Sequence, residues 1–399
     1  MVNTANLGRG IVTYLSLCVI PLIHAMPAGA LPPDPNNAAL LYYQACLMCP
    51  ELPSGAGSVV QGTDPNDQVR EYLKRSPWPE TLELVQAATD LSRCDWGFLF
   101  SRGLLPPPSL IFSLNRLTFL LGVQARTLAA DGQIRSALEN CIRMRRFAAH
   151  LGDDTFLMWV LSEKMDVAAS SAIQYVLGVT PPDETTLLWL QAQLRSVPGA
   201  PWRPEEALHR FGDMDVQGWR AHPSKHKAWR EAFLEDIEDE AVRKERQNLD
   251  ESPLFDQALQ SFDAALRQTL DVLRSDVPYS QKCAELAQII DRAWEKAEQG
   301  DPVATFVDSV EHVGEYYRIH VNATAPLNAL MNAIELYLIK ARTGHLPREL
   351  PAYLPEDPYS GKSFEYETTK EGFVLRCRTK PVDSSSIRQF PFRVRAQAN

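Results

Sequence analysis

The chain has 399 residues, of which 45% are hydrophobic and 23% charged, the composition of an ordinary globular protein with a sizeable core. Its 50 Asp and Glu outweigh 40 Lys and Arg, giving a formal net charge of −10. That balance excludes a general nucleic-acid binder, which needs a basic face to displace counterions, and it disfavours docking on anionic lipid.

The first thirty residues have the layout of a secretory signal. Met1–Gly10 carries one positive charge, Arg9, and no acid; Ile11–Ile23 is almost wholly apolar; Ala28-Gly29-Ala30 offers small residues at signal-peptidase spacing. The apolar run is shorter than the roughly 18 residues a membrane span needs. Bulky Leu17 before Cys18 argues against lipid attachment at that cysteine. The expectation is a signal peptide over 1–30, cleavage after Ala30, a periplasmic or extracellular product and no stable membrane span. The mature length suits about two domains; composition shifts divide it into 31–200, 201–324 and 325–399. Cys46, Cys49, Cys94, Cys141, Cys283 and Cys377 remain, and six cysteines in an exported chain allow fifteen full pairings that spacing does not rank.

The mature chain opens with a predicted helix over Asn36–Met48, with Asp34 as its cap, Pro35 at its first position, and Leu40, Leu41, Tyr42, Ala45 and Cys49 toward one side. Pro50, Pro53 and the run Ser54-Gly55-Ala56-Gly57-Ser58 predict a loop. Short helical patterns follow at Asp64–Lys74 and Pro79–Leu91, then a Pro-rich loop over Ser101–Pro108. The strongest periodicity spans Ser109–Leu151. Leu110, Leu114, Leu117, Leu121 and Leu128 run to a stop at Asp131-Gly132, and Ala137, Cys141, Met144 and Ala148 line a second helix. The pattern predicts an antiparallel helical hairpin, without a repeat array.

Further helices are expected at Thr155–Leu177, Asp183–Ser196, Lys225–Gln247, Leu254–Ser275, Ser280–Gln299, Pro302–His320 and Ala325–Thr343. Mixed charges over Glu231–Glu251 read as a solvated helix with i,i+4 ion pairs. After Gly344 the prolines at 347, 351, 355 and 358 mark a loop. Phe364 and Tyr366 alternate on a first strand, Glu371-Gly372 turns the chain, and Phe373–Cys377 alternates on a second; Phe390, Phe392 and Val394 offer a third. The fold class expected is mainly α, packed helical hairpins or a bundle, with a small C-terminal β-hairpin or three-stranded sheet packed on the preceding helix.

Two resemblances follow from particular segments. Asn37-Ala38-Ala39 with Tyr42-Tyr43-Gln44-Ala45, then Cys94-Asp95-Trp96-Gly97, then Arg116–Leu151, resemble an uncharacterised family of exported helical bacterial proteins over about 36–194. That family carries no activity across. Ala333-Ile334-Glu335-Leu336-Tyr337, Gly344-His345-Leu346-Pro347, Leu354–Lys362 and Phe373-Val374-Leu375 are similar to the end of type II secretion pseudopilins, over about 334–377. The likeness implies a helix leading through a Pro-rich loop into a small sheet. It does not imply filament assembly, because no uncut hydrophobic helix adjoins the module.

Candidate chemistry is sparse. Cys46-Leu47-Met48-Cys49 has the spacing of a redox dithiol or half a zinc site, yet it ends a helix rather than starting one, and no second pair stands at zinc spacing; structural cysteines are the favoured reading. Glu311, His312, Glu315 and His320 share a predicted helix and are candidates for acid–base or metal work, without an HExxH pair. His222 and His226 are separated by Pro223. Glu356, Asp357 and Ser360 lie where the resembled pseudopilins can bind calcium, which makes them candidate metal residues against a plain turn. No phosphate loop, GxSxG elbow or haem CxxCH is present, so no cofactor is implied. The eight Trp residues, Trp78, Trp96, Trp159, Trp189, Trp202, Trp219, Trp229 and Trp294, suit buried anchors better than a groove lining. The function expected is a non-enzymatic scaffold or binding protein of the bacterial envelope, with a protein partner. The alternative is an envelope hydrolase or redox enzyme whose site is assembled from dispersed residues.

Overall fold

The structure is a computed structural model and describes residues 35–98, 106–152, 155–179, 183–197, 240, 244, 251–299 and 304–394. From Asn37 onward these residues belong to one unit, mainly helical with a three-stranded sheet near its end. Asp34, most of the predicted helix at Lys225–Gln247, His222, His226, Trp202, Trp219 and Trp229 lie outside the described residues. Glu240 and Lys244 are helical and form an i,i+4 ion pair at 3.8 Å.

The first helix, α1 (Ala38–Met48), begins two residues later than its pattern suggests because Asn37 is its cap. The Asn37 side chain accepts from the Ala39 amide at 3.2 Å. It also clamps Asp95, accepting its amide and donating to its carbonyl, both at 2.8 Å. The two segments that carry the first resemblance therefore meet at this cap. Ala38, Ala39 and Ala45 let α1 sit close to α4 (Trp78–Asp90), and Tyr42 fills the gap, stacked on Phe147 at 4.1 Å and on Trp96 at 5.7 Å. Leu40, expected on this inner side, points outward; it is two residues, some 200°, from Tyr42.

The Gly/Ser run is not all loop. Ala56–Val60 forms a short helix, α2, because Ala56 and Val59 are buried, and Gly55 enters it with a positive φ of 83°. Next comes α3 (Asp67–Leu73), capped by Asn66, whose side chain accepts from the Val69 amide at 2.9 Å.

The predicted hairpin is present as α5 (Pro108–Ala130) and α6 (Ile134–Leu151), joined through Gly132 at φ 78°. With α7 (Phe156–Val179) they form a spine shared by two cores. Leu114, Leu117, Phe147, Met158 and Met165 face the N-terminal core with α1, α2 and α4. The other ends of the same helices, through Ala129, Cys141 and Ile173, face a second core with α8 (Glu184–Ser196), α9 (Glu251–Arg274), α10 (Tyr279–Glu298), α11 (Ala304–Thr343) and the sheet. The second core gathers residues from Ala125 to Phe392.

The predicted helices at Pro302–His320 and Ala325–Thr343 are one element. The 40-residue α11 runs through Pro326, whose missing amide leaves the Asn322 carbonyl without its helical donor. The Arg388 guanidinium supplies the donor, with Nη1 2.9 Å from that oxygen. A distant side chain thus repairs the break that the proline signals locally.

The sheet has the order β1-β2-β3 with both pairs antiparallel: β1 (Glu365–Thr369), β2 (Gly372–Arg376) and β3 (Gln389–Arg393). Phe373 pairs with Phe392 and stacks on it at 5.2 Å, and Tyr337 of α11 meets Phe373 at 5.6 Å. The Tyr337 hydroxyl donates to the Arg393 carbonyl at 2.6 Å, so the sheet packs on the preceding helix as its alternation predicts. Gly372 is irreplaceable on steric grounds. A Cβ there would lie 2.0 Å from the Phe392 carbonyl oxygen.

Candidate functional site

The dithiol ends α1, and neither thiol is bonded to the other; no disulfide forms among the described cysteines. Burial pushes Cys46 up to about 12, with the neighbouring Cys49 adding to it. Burial likewise lifts Cys49 to about 11, against the pull of Arg116. This is the reverse of what a nucleophilic or metal-binding thiolate needs.

The Pro-rich loop is organised around Asp357, which is fully buried. Its Oδ1 accepts from the Tyr359 amide at 3.0 Å, and its Oδ2 accepts from the Ser360 hydroxyl at 2.7 Å and the Arg378 amide at 2.8 Å. These donors occupy the lone pairs a cation would use. Glu356 points to solvent, and only its carbonyl is engaged, by Asn328. Asp357 and Ser360 are brought together, then, as a turn clasp rather than as a ligand set.

On α11 the side chains of Glu311 and His312 lie outside the described residues, and Glu315 is exposed. Of the two described members of that group, the fold puts His320 to use. Its Nδ1 is 2.9 Å from Oε1 of Glu163 on α7, and its Nε2 is 3.4 Å from the Thr324 hydroxyl. The Thr324 hydroxyl proton is already donated to the His320 carbonyl at 2.9 Å, so the oxygen is not poised as a nucleophile.

Glu163 belongs to a buried polar stripe that sequence reasoning missed. Ser162, Glu163, Asp166 and Ser170 all face inward from α7. Burial raises the Glu163 carboxyl, with the bond and charge of His320 opposing the shift. Asp166 is raised by burial too, against the charge of Arg145 on α6, whose Nε lies 3.3 Å away. Ser162 donates to the Ala148 carbonyl at 2.6 Å. The signal available was two acids in a helix otherwise mostly apolar or small. Without knowing which side faces a neighbour, such acids read as surface.

Among the described residues no group of three His, Cys, Asp or Glu is placed to hold a metal ion, and no helix is long and apolar enough to cross a membrane. Trp78, Trp96 and Trp159 are buried anchors; Trp96 donates to the His150 carbonyl at 2.8 Å and Trp78 to Gln124 at 3.0 Å. Trp189 lies under the Arg135 guanidinium at 3.5 Å, and Trp294 is partly exposed.

One further feature is α1 itself. Ala38, Ala39, Tyr42 and Ala45 are its buried residues, and Leu41, Tyr43 and Cys46 pack partly buried beside them. Leu40, Leu47 and Met48 remain 49%, 88% and 38% exposed, and Leu52 in the next loop 45%. No family model, curated protein or solved structure matches the chain.

Proposed function

We propose that this chain is an exported, non-enzymatic binding or scaffold protein of the bacterial envelope, and that a protein partner docks on the outer side of α1. The observation that carries the reading is the group of exposed apolar residues Leu40, Leu47 and Met48, spaced i, i+7 and i+8 around exposed Gln44, on a helix whose opposite side is already in the core. Exposed apolar residues gathered on one face of a helix mark a candidate interaction site. Export rests on the charged start, short apolar run and Ala28-Gly29-Ala30 exit of the first thirty residues.

The enzyme alternative draws on the Glu163–His320–Thr324 line, which resembles an acid–histidine–hydroxyl relay. Its hydroxyl proton is committed to the backbone, which favours a structural role. The test of the binding reading is affinity capture from native envelope with wild-type protein and with Leu47→Asp. At 88% exposure this substitution is expected to cost no more than about 1 kcal/mol, that of an acid at a helix C-terminus, and to abolish capture of the partner. Undiminished capture by Leu47→Asp would overturn the docking surface. An exported form still beginning at Met1 would overturn the leader.

A further inference from the structure

We infer that the groove between α7 and the sheet is a binding site for a small organic carboxylate, with Arg126 as its anchor. This goes beyond the docking surface on α1, and different elements carry it. The groove encloses about 530 Å³, within the range of roughly 300–1,000 Å³ that small-molecule sites occupy. Ser171, Gln174, Tyr175 and Gly178, one stripe of α7, line it together with Arg126 of α5, and Val374, Pro391 and Arg393 of the sheet line it opposite.

Arg126 is the unusual member. It is only 5% exposed, and among the described residues no carboxylate pairs with it. One nitrogen, Nη2, donates to the Ser171 hydroxyl at 2.9 Å, and the guanidinium lies 4.8 Å from the centre of the Tyr175 ring. The charges nearby are otherwise engaged. Glu371 pairs with Arg393 at 3.7 Å, and Asp64 accepts from the Tyr175 hydroxyl at 3.3 Å. Burial pulls the guanidinium down from its ordinary value, and the groups that hold it up are Tyr175 and Cys141, not an acid.

A buried guanidinium without a counter-charge is costly, and replacing it by an apolar side chain is often neutral or better. Its planar fork matches a carboxylate. Arg126 lines the groove, and Val179, Val374 and Pro391, which are not fully buried, give it apolar surface for the ligand's body. Carboxylate is favoured over phosphate because the single guanidinium and the apolar surface suit one charge on an organic frame.

The test titrates the whole mature chain with benzoate, inorganic phosphate and benzamide, read by calorimetry and melting temperature. Benzoate is expected to bind and raise the melting temperature, with benzamide, the uncharged isostere, weaker by at least about tenfold. Arg126→Gln is expected to weaken benzoate by about tenfold or more. Gly178→Leu provides a second variant. A Cβ at Gly178 meets only the Arg393 side chain at 3.9 Å, so the larger residue projects into the groove without displacing backbone, and benzoate binding should be lost. Phosphate binding without benzoate binding would overturn the carboxylate assignment. Benzoate affinity unchanged in both variants, or no response to either anion at about 10 mM, would overturn the site.

Discussion

Arg145 and Asp166 show how much a single buried contact decides in this protein. Their side chains are 2% and 8% exposed and 3.3 Å apart, so each charge depends on the other. Arg145→Leu should cost about 3–5 kcal/mol in denaturant unfolding, because it strands a buried carboxylate, while Arg145→Leu with Asp166→Leu should recover most of the loss. A single variant as stable as wild type would contradict the assignment. Glu163 and Asp166 also make a pH signature. Both carboxyls are raised, so each binds its proton more tightly in the folded state. The stability they contribute is fully present below the ordinary carboxylate value and is lost as pH rises through the raised folded value. Glu163→Gln should therefore flatten the fall in unfolding free energy with rising pH; profiles of wild type and variant that run parallel would contradict this. The thiols give a third check. With Cys46 raised to about 12 and Cys49 to about 11, both should alkylate slowly at about pH 6, where the thiolate fraction is negligible. Rapid, selective modification of either in folded protein would restore the redox reading.

At the scale of elements, what was legible followed from local periodicity. The hairpin of α5 and α6 was readable because leucines recur at helical spacing and Gly132 closes the turn. The strands were readable from Phe364, Tyr366, Phe373 and Leu375, which recur at every second position and so share one face. What was not legible depended on partners far along the chain. Pro326 is a proper local break signal, and α11 continues only because Arg388, 66 residues beyond Asn322, caps the orphan carbonyl. The same holds for α2, where burial of Ala56 and Val59 overrides a Gly/Ser composition, and for Glu163, whose partner His320 stands 157 residues away. The Arg388 account is open to a double-mutant cycle. Arg388→Ala should cost about 1–3 kcal/mol, as expected for leaving a buried acceptor unsatisfied, and should cost clearly less in a Pro326→Ala background, where the helix restores its own donor. Equal costs in the two backgrounds would show that the guanidinium does something else.

At the scale of the whole molecule, α5, α6 and α7 contribute different residues to both cores, which ties the N-terminal helices to the sheet through shared helices rather than through a linker. Such a unit presents rigid surfaces, and α1 lies at its N-terminal side with one face anchored by Tyr42 and the other left apolar and open. The exposed group could not be read from sequence, since Leu40 looked like a core residue until the alanines and Tyr42 were seen to take the inner side. The most direct measurement of the central claim is site-specific photo-crosslinking in intact cells, with the probe at position 47 on α1 and, as a control, at exposed position 367 on β1. The account predicts one discrete protein adduct from position 47 and none from position 367; no adduct at 47, or the same adducts from both positions, would contradict it.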